Sequence, residues 1–227
     1  ARAGVEGAEV DDVVMGCAMP QGTQSLNVGR LSALAAGLPV TVSGMTMDRQ
    51  CASGLMAVAT AAKQIITDQM DITIGAGCEN VSALTPSYVE YAVRERDEDL
   101  VRLVPTAYMP MIETAEYVAK KYGISREDQD ALALASQQKA AAAQDAGKFK
   151  DEIVPFSIAQ KKGDPIVFAA DEFINRKTNA EVLAGLRPAF DKAGSVTAGN
   201  ASGINDGAAA LVMMRESTAK KLGCTPL

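Results

Sequence analysis

A layered α/β core, interrupted by a mainly helical insertion, is the fold class the sequence predicts. Three observations predict it. Strand-like and helix-like runs alternate between residues 10 and 76. A charged, proline-punctuated middle then breaks the alternation. Core-like sequence returns after residue 192.

The elements follow in chain order. Val10–Ala18 (VDDVVMGCA) reads as a short strand. Asn27–Ala36 has helical spacing of Val28, Leu31, Leu34 and Ala35 and stops at Gly37. After Pro39 the run VTVSGMTM is strand-like, with β-branched residues. Ala52–Ile66 is Ala-rich and strongly helical, and Asp71–Ala76 is a short buried-strand candidate.

From Ser82 to Val104 the pattern changes, with Pro86, Pro105 and a charged run from Arg94 to Asp99. This stretch reads as a solvated loop or helix face. Contact of Arg94, Arg96 or Arg102 with a ligand's phosphates is the lesser alternative. Ile112–Tyr122 is a helix closed by Gly123. Ser125 then opens a second one with a capping-box pattern, Asp128 standing where Glu is usual. That helix runs to Gly147. The region from Lys148 to Asp191 is polar and punctuated by Gly and Pro. Beyond it, AGNASGINDG is a turn-rich loop, AAALVMM a buried-strand candidate and Glu216–Leu222 a short helix.

Composition limits function. The 227 residues are 48% hydrophobic but only 4% aromatic and hold no Trp, so the core is built from small aliphatic side chains. The net charge of −6 argues against a nucleic-acid-binding face. No apolar run reaches the ~18–20 residues of a membrane helix. The opening ARAGVEGAEVDD lacks the features of a signal peptide and reads as the tail of a helix already in progress. Any targeting segment is therefore expected ahead of it. Four cysteines, none in a CxxC pair, suit a reducing compartment and no metal site. Cytoplasm is the expected location, an organellar matrix the alternative. The chain has no His, the commonest general base near neutral pH.

Cys51 is the leading candidate nucleophile. It stands where a strand-like run gives way to a helix, so unpaired backbone N–H groups are expected to stabilise its thiolate. Ala52, Ser53 and Gly54 leave room for a substrate. The competing reading is a small buried hydrophobe, the usual state of a free cysteine. That reading is preferred for Cys17, Cys78 and Cys224. The second feature is the Gly/Asn-rich run from Ala198 to Ala208. Its backbone is able to come close to an extended polar ligand, or it is only a turn. It has neither the Lys of a P-loop nor GxGxxG spacing.

At this point a resemblance becomes specific. Asp48–Arg49–Gln50–Cys51–Ala52–Ser53–Gly54–Leu55 resembles the nucleophile motif of the thiolase family. The run Ala198–Ala210 resembles its CoA-binding segment, and Gly75–Asn80 its Gly-Gly-Met-Glu-Ser strand end with three departures. Tyr122–Glu127 and Ser136–Ala140 are similar to the loop-domain helices, Leu186–Phe190 is similar to the segment before the CoA loop, and the matches keep the family's order.

The resemblance implies a five-layered αβαβα core, here its first half, with a loop domain inserted. It implies residues 1–81 as amino-terminal core, 82–192 as loop domain, and 193–227 as the return to the core. It implies Cys51 as acyl acceptor, with Ser202 and Gly203 at the CoA pantetheine arm in a shared cleft. CoA is then a substrate, with no bound cofactor and no metal. A homodimer or homotetramer is the implied assembly, in fatty acid metabolism. The family's Asn-Glu-Ala-Phe segment, Gly-His-Pro histidine and second catalytic cysteine are absent from these residues. The chain alone is therefore expected to be incomplete for turnover, with uncovered apolar faces or strand edges. A catalytically dead scaffold or dimerisation fragment is the alternative.

Overall fold

The computed structural model describes residues 3–226. In chain order the elements are β1 (Asp12–Gly16), α1 (Val28–Ala35), β2 (Ser43–Met47), α2 (Ser53–Thr67), β3 (Ile72–Glu79), α3 (Val81–Arg94) and α4 (Glu98–Leu103). They continue with α5 (Met111–Tyr122), α6 (Arg126–Asp145), β4 (Phe156–Ile158), β5 (Ile166–Phe168), α7 (Ala180–Ala184), β6 (Gly207–Met214) and α8 (Glu216–Leu222). Two compact units result: 3–98 with 204–226, and Asp99–Gly203.

The first unit is built on a four-stranded sheet of order β2-β1-β3-β6. β1 runs parallel to β2 and β3, while β6 runs antiparallel to β3. Every residue of β1 is buried, as befits a central strand covered on both faces. Side chains alternate along a strand, so neighbouring Val13 and Val14 face opposite sides. Val13 joins a core cluster with Ala33 of α1, Val42 and Ile72. Val14 joins Ala57 and Ala61 of α2. α1 and α2 therefore cover opposite faces of the sheet. The face α2 buries is Ser53, Ala57, Ala61 and Ile65, one residue per turn and mostly small. Such a stripe lets helix and sheet backbones come close. At the loop ends Asp11 accepts the N–H groups of Asp71 and Ile72 at 2.8 and 3.1 Å, tying β1 to the start of β3.

The second unit is led by the α5–α6 hairpin. Gly123 closes α5 in the left-handed conformation (φ 67°). Ser125 caps α6, its hydroxyl accepting the Asp128 N–H at 3.0 Å and donating to the Asp128 carboxylate at 2.8 Å. A small antiparallel hairpin, β4–β5, and the short α7 complete the unit.

Two readings change, those of β6 and of the opening residues, and one open alternative closes. The stretch read as a loop or helix face between Ser82 and Val104 is mostly helical. Asn80 caps α3 through the Ala83 N–H at 3.3 Å, and α3 continues through Pro86. β6 is a strand but not a buried one: residues 207–212 are exposed, because β6 is an edge strand. The opening residues hold a 3-10 turn at Gly7–Glu9, where the Glu9 carboxylate accepts the Glu6 N–H. Ala1 and Arg2, part of the expected helix tail, lie outside the described residues. The compact units change over at 98/99 and 203/204. α3 stays with the first unit, where the Ser82 N–H donates to Asp206 at 2.8 Å. The turn from Pro188 to Gly203 is held by α5 and α6.

Candidate active site

Cys51 is exposed on the tight turn between β2 and α2, two residues ahead of the first residue of the helix. The turn is built from local bonds. The Asp48 carboxylate accepts the Gln50 N–H at 2.7 Å, and Gln50 takes the left-handed conformation (φ 49°). The Ser53 hydroxyl accepts the Arg49 N–H at 2.8 Å and donates to the Gln50 carbonyl at 2.6 Å. Ser53 itself is buried. One serine thus clamps both residues that precede Cys51. Ala52, the N-cap of α2, supplies no side-chain cap. The positive end of a 15-residue helix therefore lies just beyond the thiol.

The floor under this turn is glycine. Gly16 at the end of β1 sits against the Ser53 carbonyl and the Gly54 N–H, leaving no room for a Cβ. A Cβ on Gly77 would lie 3.5 Å from the Gly54 Cα. The sheet ends thus abut the first turn of α2, and the turn carrying Cys51 follows from that packing.

The other thiols are different. Cys17 is fully buried and donates to Glu79 at 3.7 Å. Desolvation, with the nearby Glu79 charge, pushes its thiol up to about 12. Burial also raises Cys78. Cys224 is half-buried, donating to the Ala3 carbonyl at 3.3 Å. Among the described residues Cys51 alone is an exposed cysteine.

Glu79, given no role by the sequence reading, closes β3 and fastens the loop after β1. Its carboxylate accepts the N–H groups of Ala18 (2.8 Å) and Met19 (3.2 Å) and the Gln24 side-chain amide (2.8 Å). Gln24 in turn accepts the Asn80 N–H at 2.5 Å. A carboxylate satisfied by several donors is a rigid post. No local pattern reveals it, since its partners lie 55 to 62 positions away.

In the second unit, Ser202 and Gly203 are exposed at the end of the Gly/Asn-rich turn. Phe173 packs its ring against Gly203. The turn starts from a half-buried anchor. The Glu116 carboxylate of α5 accepts the Ser195 and Val196 N–H groups, at 2.9 and 2.8 Å, and the Ser195 hydroxyl at 3.1 Å. Burial alone would raise the Glu116 carboxyl, but these donors outweigh it and hold it below the usual range. A shallow groove of about 570 Å³ runs beside this anchor, lined by Glu116, Lys120, Ser125, Asp191 and Ser195. Neither Cys51 nor Ser202 lines it. The arginines in and just after the charged run pair with neighbouring carboxylates: Arg94 with Glu95, Arg96 with Glu98 and Arg102 with Asp99. Among the described residues no His, Cys, Asp and Glu side chains cluster as a metal site would need, and no helix is long and apolar enough to cross a membrane.

The family model described as Thiolase, N-terminal domain, matches residues 1–217. The chain is 47% identical over 237 residues to an acetyl-CoA acetyltransferase of Cupriavidus necator, covering 100% of this chain and 60% of that protein. It is 43% identical over 234 residues to a 3-ketoacyl-CoA thiolase of Bacillus subtilis, covering 100% of this chain and 59% of that one. The crystal structure of the Bacillus anthracis acetyl-CoA acetyltransferase superposes with a TM-score of 0.78 at 40% identity, over 100% of this chain and 59% of that one. The chain thus spans about 60% of the length of the curated relatives it matches. With its motifs in family order and its fold shared, the chain belongs to the thiolase family, whose amino-terminal domain it carries.

Proposed function

We propose that this chain carries the acyl-accepting half of a thiolase reaction. Cys51 attacks the thioester carbonyl of acetyl-CoA, or the 3-keto carbonyl of a 3-ketoacyl-CoA. A carbon–sulfur bond to Cys51 forms as a bond at the carbonyl carbon breaks. The leaving group is the CoA thiolate from acetyl-CoA, or the acetyl-CoA carbanion from a 3-ketoacyl-CoA. The observation that supports this best is the exposed Cys51 thiol on a clamped turn ahead of α2, while Cys17 is sealed. The N–H groups of Ala52 and Ser53 are bonded to the Arg49 and Gln50 carbonyls, so it is the N–H groups beyond Ser53 at the helix start that are suited to a developing oxyanion.

Ser202 is assigned the hydrogen bond to the CoA pantetheine arm, and Gly203 the close backbone approach beside it. The order of parts, residues 1–81, 82–192 and 193–227, is taken from the family motifs. CoA acts as substrate rather than resident cofactor. A homodimer or homotetramer in the cytoplasm is the proposed setting, in fatty acid metabolism.

The chain has no histidine, so the proton transfers of full turnover have no ordinary base here. This chain alone is proposed to acylate and then stall. The same absence favours the second reading, a scaffold or dimerisation fragment without chemistry.

One experiment separates the two. The chain is incubated with acetyl-CoA and analysed by intact-mass and peptide mass spectrometry. One acetyl group on Cys51, lost in Cys51→Ala and absent from Cys17, supports acyl transfer. No label on any cysteine, with the fold intact, selects the scaffold. Sustained release of free CoA would overturn the claim that the chain stalls.

A further inference from the structure

The turn that ends in Ser202 and Gly203 is fixed by an ionic relay from α6, and no local sequence pattern announces it. Asp130 stands at its centre, mostly shielded from solvent, with its side chain 12% exposed. One carboxylate oxygen accepts the Asn200 side-chain amide at 2.9 Å. The other accepts the Arg126 guanidinium at 2.8 Å. Arg126 also donates to the carbonyls of Leu183 and Leu186 at 2.7 and 3.1 Å.

Both ends of the Asn200 amide are engaged by this arrangement. Its amide nitrogen donates to Asp130 and to the Ser195 carbonyl at 3.0 Å. Its amide oxygen accepts the Thr197 N–H at 2.7 Å. The Ala201 N–H returns to the Thr197 carbonyl at 3.0 Å. Gly199 rests on Leu183 and Leu186, the residues whose carbonyls Arg126 holds. The backbone from Ser195 to Ala201 is therefore referenced to α6 through one carboxylate. Nothing in this set touches Ser202 directly, yet Ser202 is the next residue along.

We propose that Asp130, braced by Arg126, is the positioning residue of the Ser202 turn: it fixes Asn200 and thereby the backbone that presents Ser202 and Gly203 to the pantetheine arm of CoA. This rests on the CoA assignment of that turn made above. Charge-assisted bonds at a shielded site are the strong ones, so Asp130 outweighs the neutral bonds around it.

Two readouts on this chain test it. Hydrogen–deuterium exchange of peptides covering 195–203 reports the turn without any ligand. Calorimetric titration with CoA reports its use. Asp130→Ala and Asn200→Ala, which cut the same contact from opposite sides, should each speed exchange at 195–203 by roughly tenfold and weaken CoA by roughly tenfold. The double variant should add little to either single one. Asp130→Asn keeps an acceptor for Asn200 but loses the Arg126 ion pair, so it should fall between. Unchanged exchange at 195–203 in the two alanine variants overturns the positioning claim. A loosened turn with unchanged CoA affinity overturns its functional half. If the parent chain binds no CoA, the CoA assignment itself fails, and with it that functional half. The exchange data still decide whether Asp130 fixes the turn.

Discussion

Gly16 lies directly against Ser53, the residue whose hydroxyl clamps the turn that carries Cys51. A methyl group at Gly16 would overlap the Ser53 carbonyl and the Gly54 N–H, which are backbone atoms of the first turn of α2. Either α2 retreats from the sheet or β1 shifts. Gly16→Ala is expected to cost about 1–3 kcal/mol, in the range of core overpacking. It should also change the alkylation rate of Cys51 by iodoacetamide, because the thiol moves with the helix start. Gly54→Ala is the control: a Cβ there meets nothing within 4 Å. It should leave stability within about 0.5 kcal/mol of the parent, since Gly54 lies in the first turn of α2. Urea denaturation and timed labelling measure both. A Gly16→Ala chain as stable and as reactive as the parent would refute the packing argument.

Ser53→Ala tests the clamp from the other side. The hydroxyl satisfies the Arg49 N–H and ties down the Gln50 carbonyl, at a buried position. Its removal leaves those groups without that partner and costs about 1–2 kcal/mol. Gln50 is held in a left-handed conformation that a non-glycine residue adopts only under constraint. Amide exchange should therefore accelerate at residues 48–52 before it does so in the middle of α2.

These effects show which parts of the fold are legible in a single sequence. Val13, Val14, Ala57 and Ala61 declare themselves by period, so β1 and α2 are readable. α3 is only half legible because Pro86 and the charges after it fit a loop as well as a solvated helix face, although Asn80 was there as its cap. β6 has buried-strand composition, but exposure is a property of its place at the sheet edge, which composition does not encode. The candidate residues Cys51 and Ser202 were visible through motifs. Their supports were not. Glu116 and Asp130 act on residues 79 and 70 positions further on, a separation that no window of sequence spans.

Glu79→Gln replaces a carboxylate that accepts the N–H groups of Ala18 and Met19 and the Gln24 amide. A neutral amide has one acceptor oxygen and turns its NH₂ toward these donors. The expected loss is about 1–3 kcal/mol in urea denaturation. Faster exchange should be confined first to residues 17–24. Uniform loosening of the whole first unit would show that Glu79 is not a local post.

Cys17 makes stability depend on alkaline pH. Its folded-state value, about 12, lies above the 9.0 of a free thiol, so the folded chain holds the proton more tightly than the unfolded chain does. The neutral buried thiol thus contributes fully below about pH 9. The contribution is lost as pH rises from 9 through about 12. Denaturation midpoints for the parent and for Cys17→Ala should therefore converge across that window. Other groups titrate there as well, but they do so in both proteins. A difference that stays constant from pH 8 upward would sink this assignment.

Ser202→Ala separates ligand contact from turn architecture. Ser202 is exposed, whereas the bonds that shape the turn belong to Ser195, Thr197 and Asn200. Folding stability should stay within about 0.5 kcal/mol of the parent. CoA affinity should fall by roughly two- to tenfold, the range of one neutral hydrogen bond. Gly203→Ala should fail differently: the new methyl meets the Phe173 ring, so ring and backbone must separate and the turn changes shape. Affinity then drops together with altered exchange at 199–203, whereas Ser202→Ala leaves exchange untouched. If Ser202→Ala binds CoA as tightly as the parent chain while Gly203→Ala does not, backbone alone makes the contact and the Ser202 hydroxyl has no part in it.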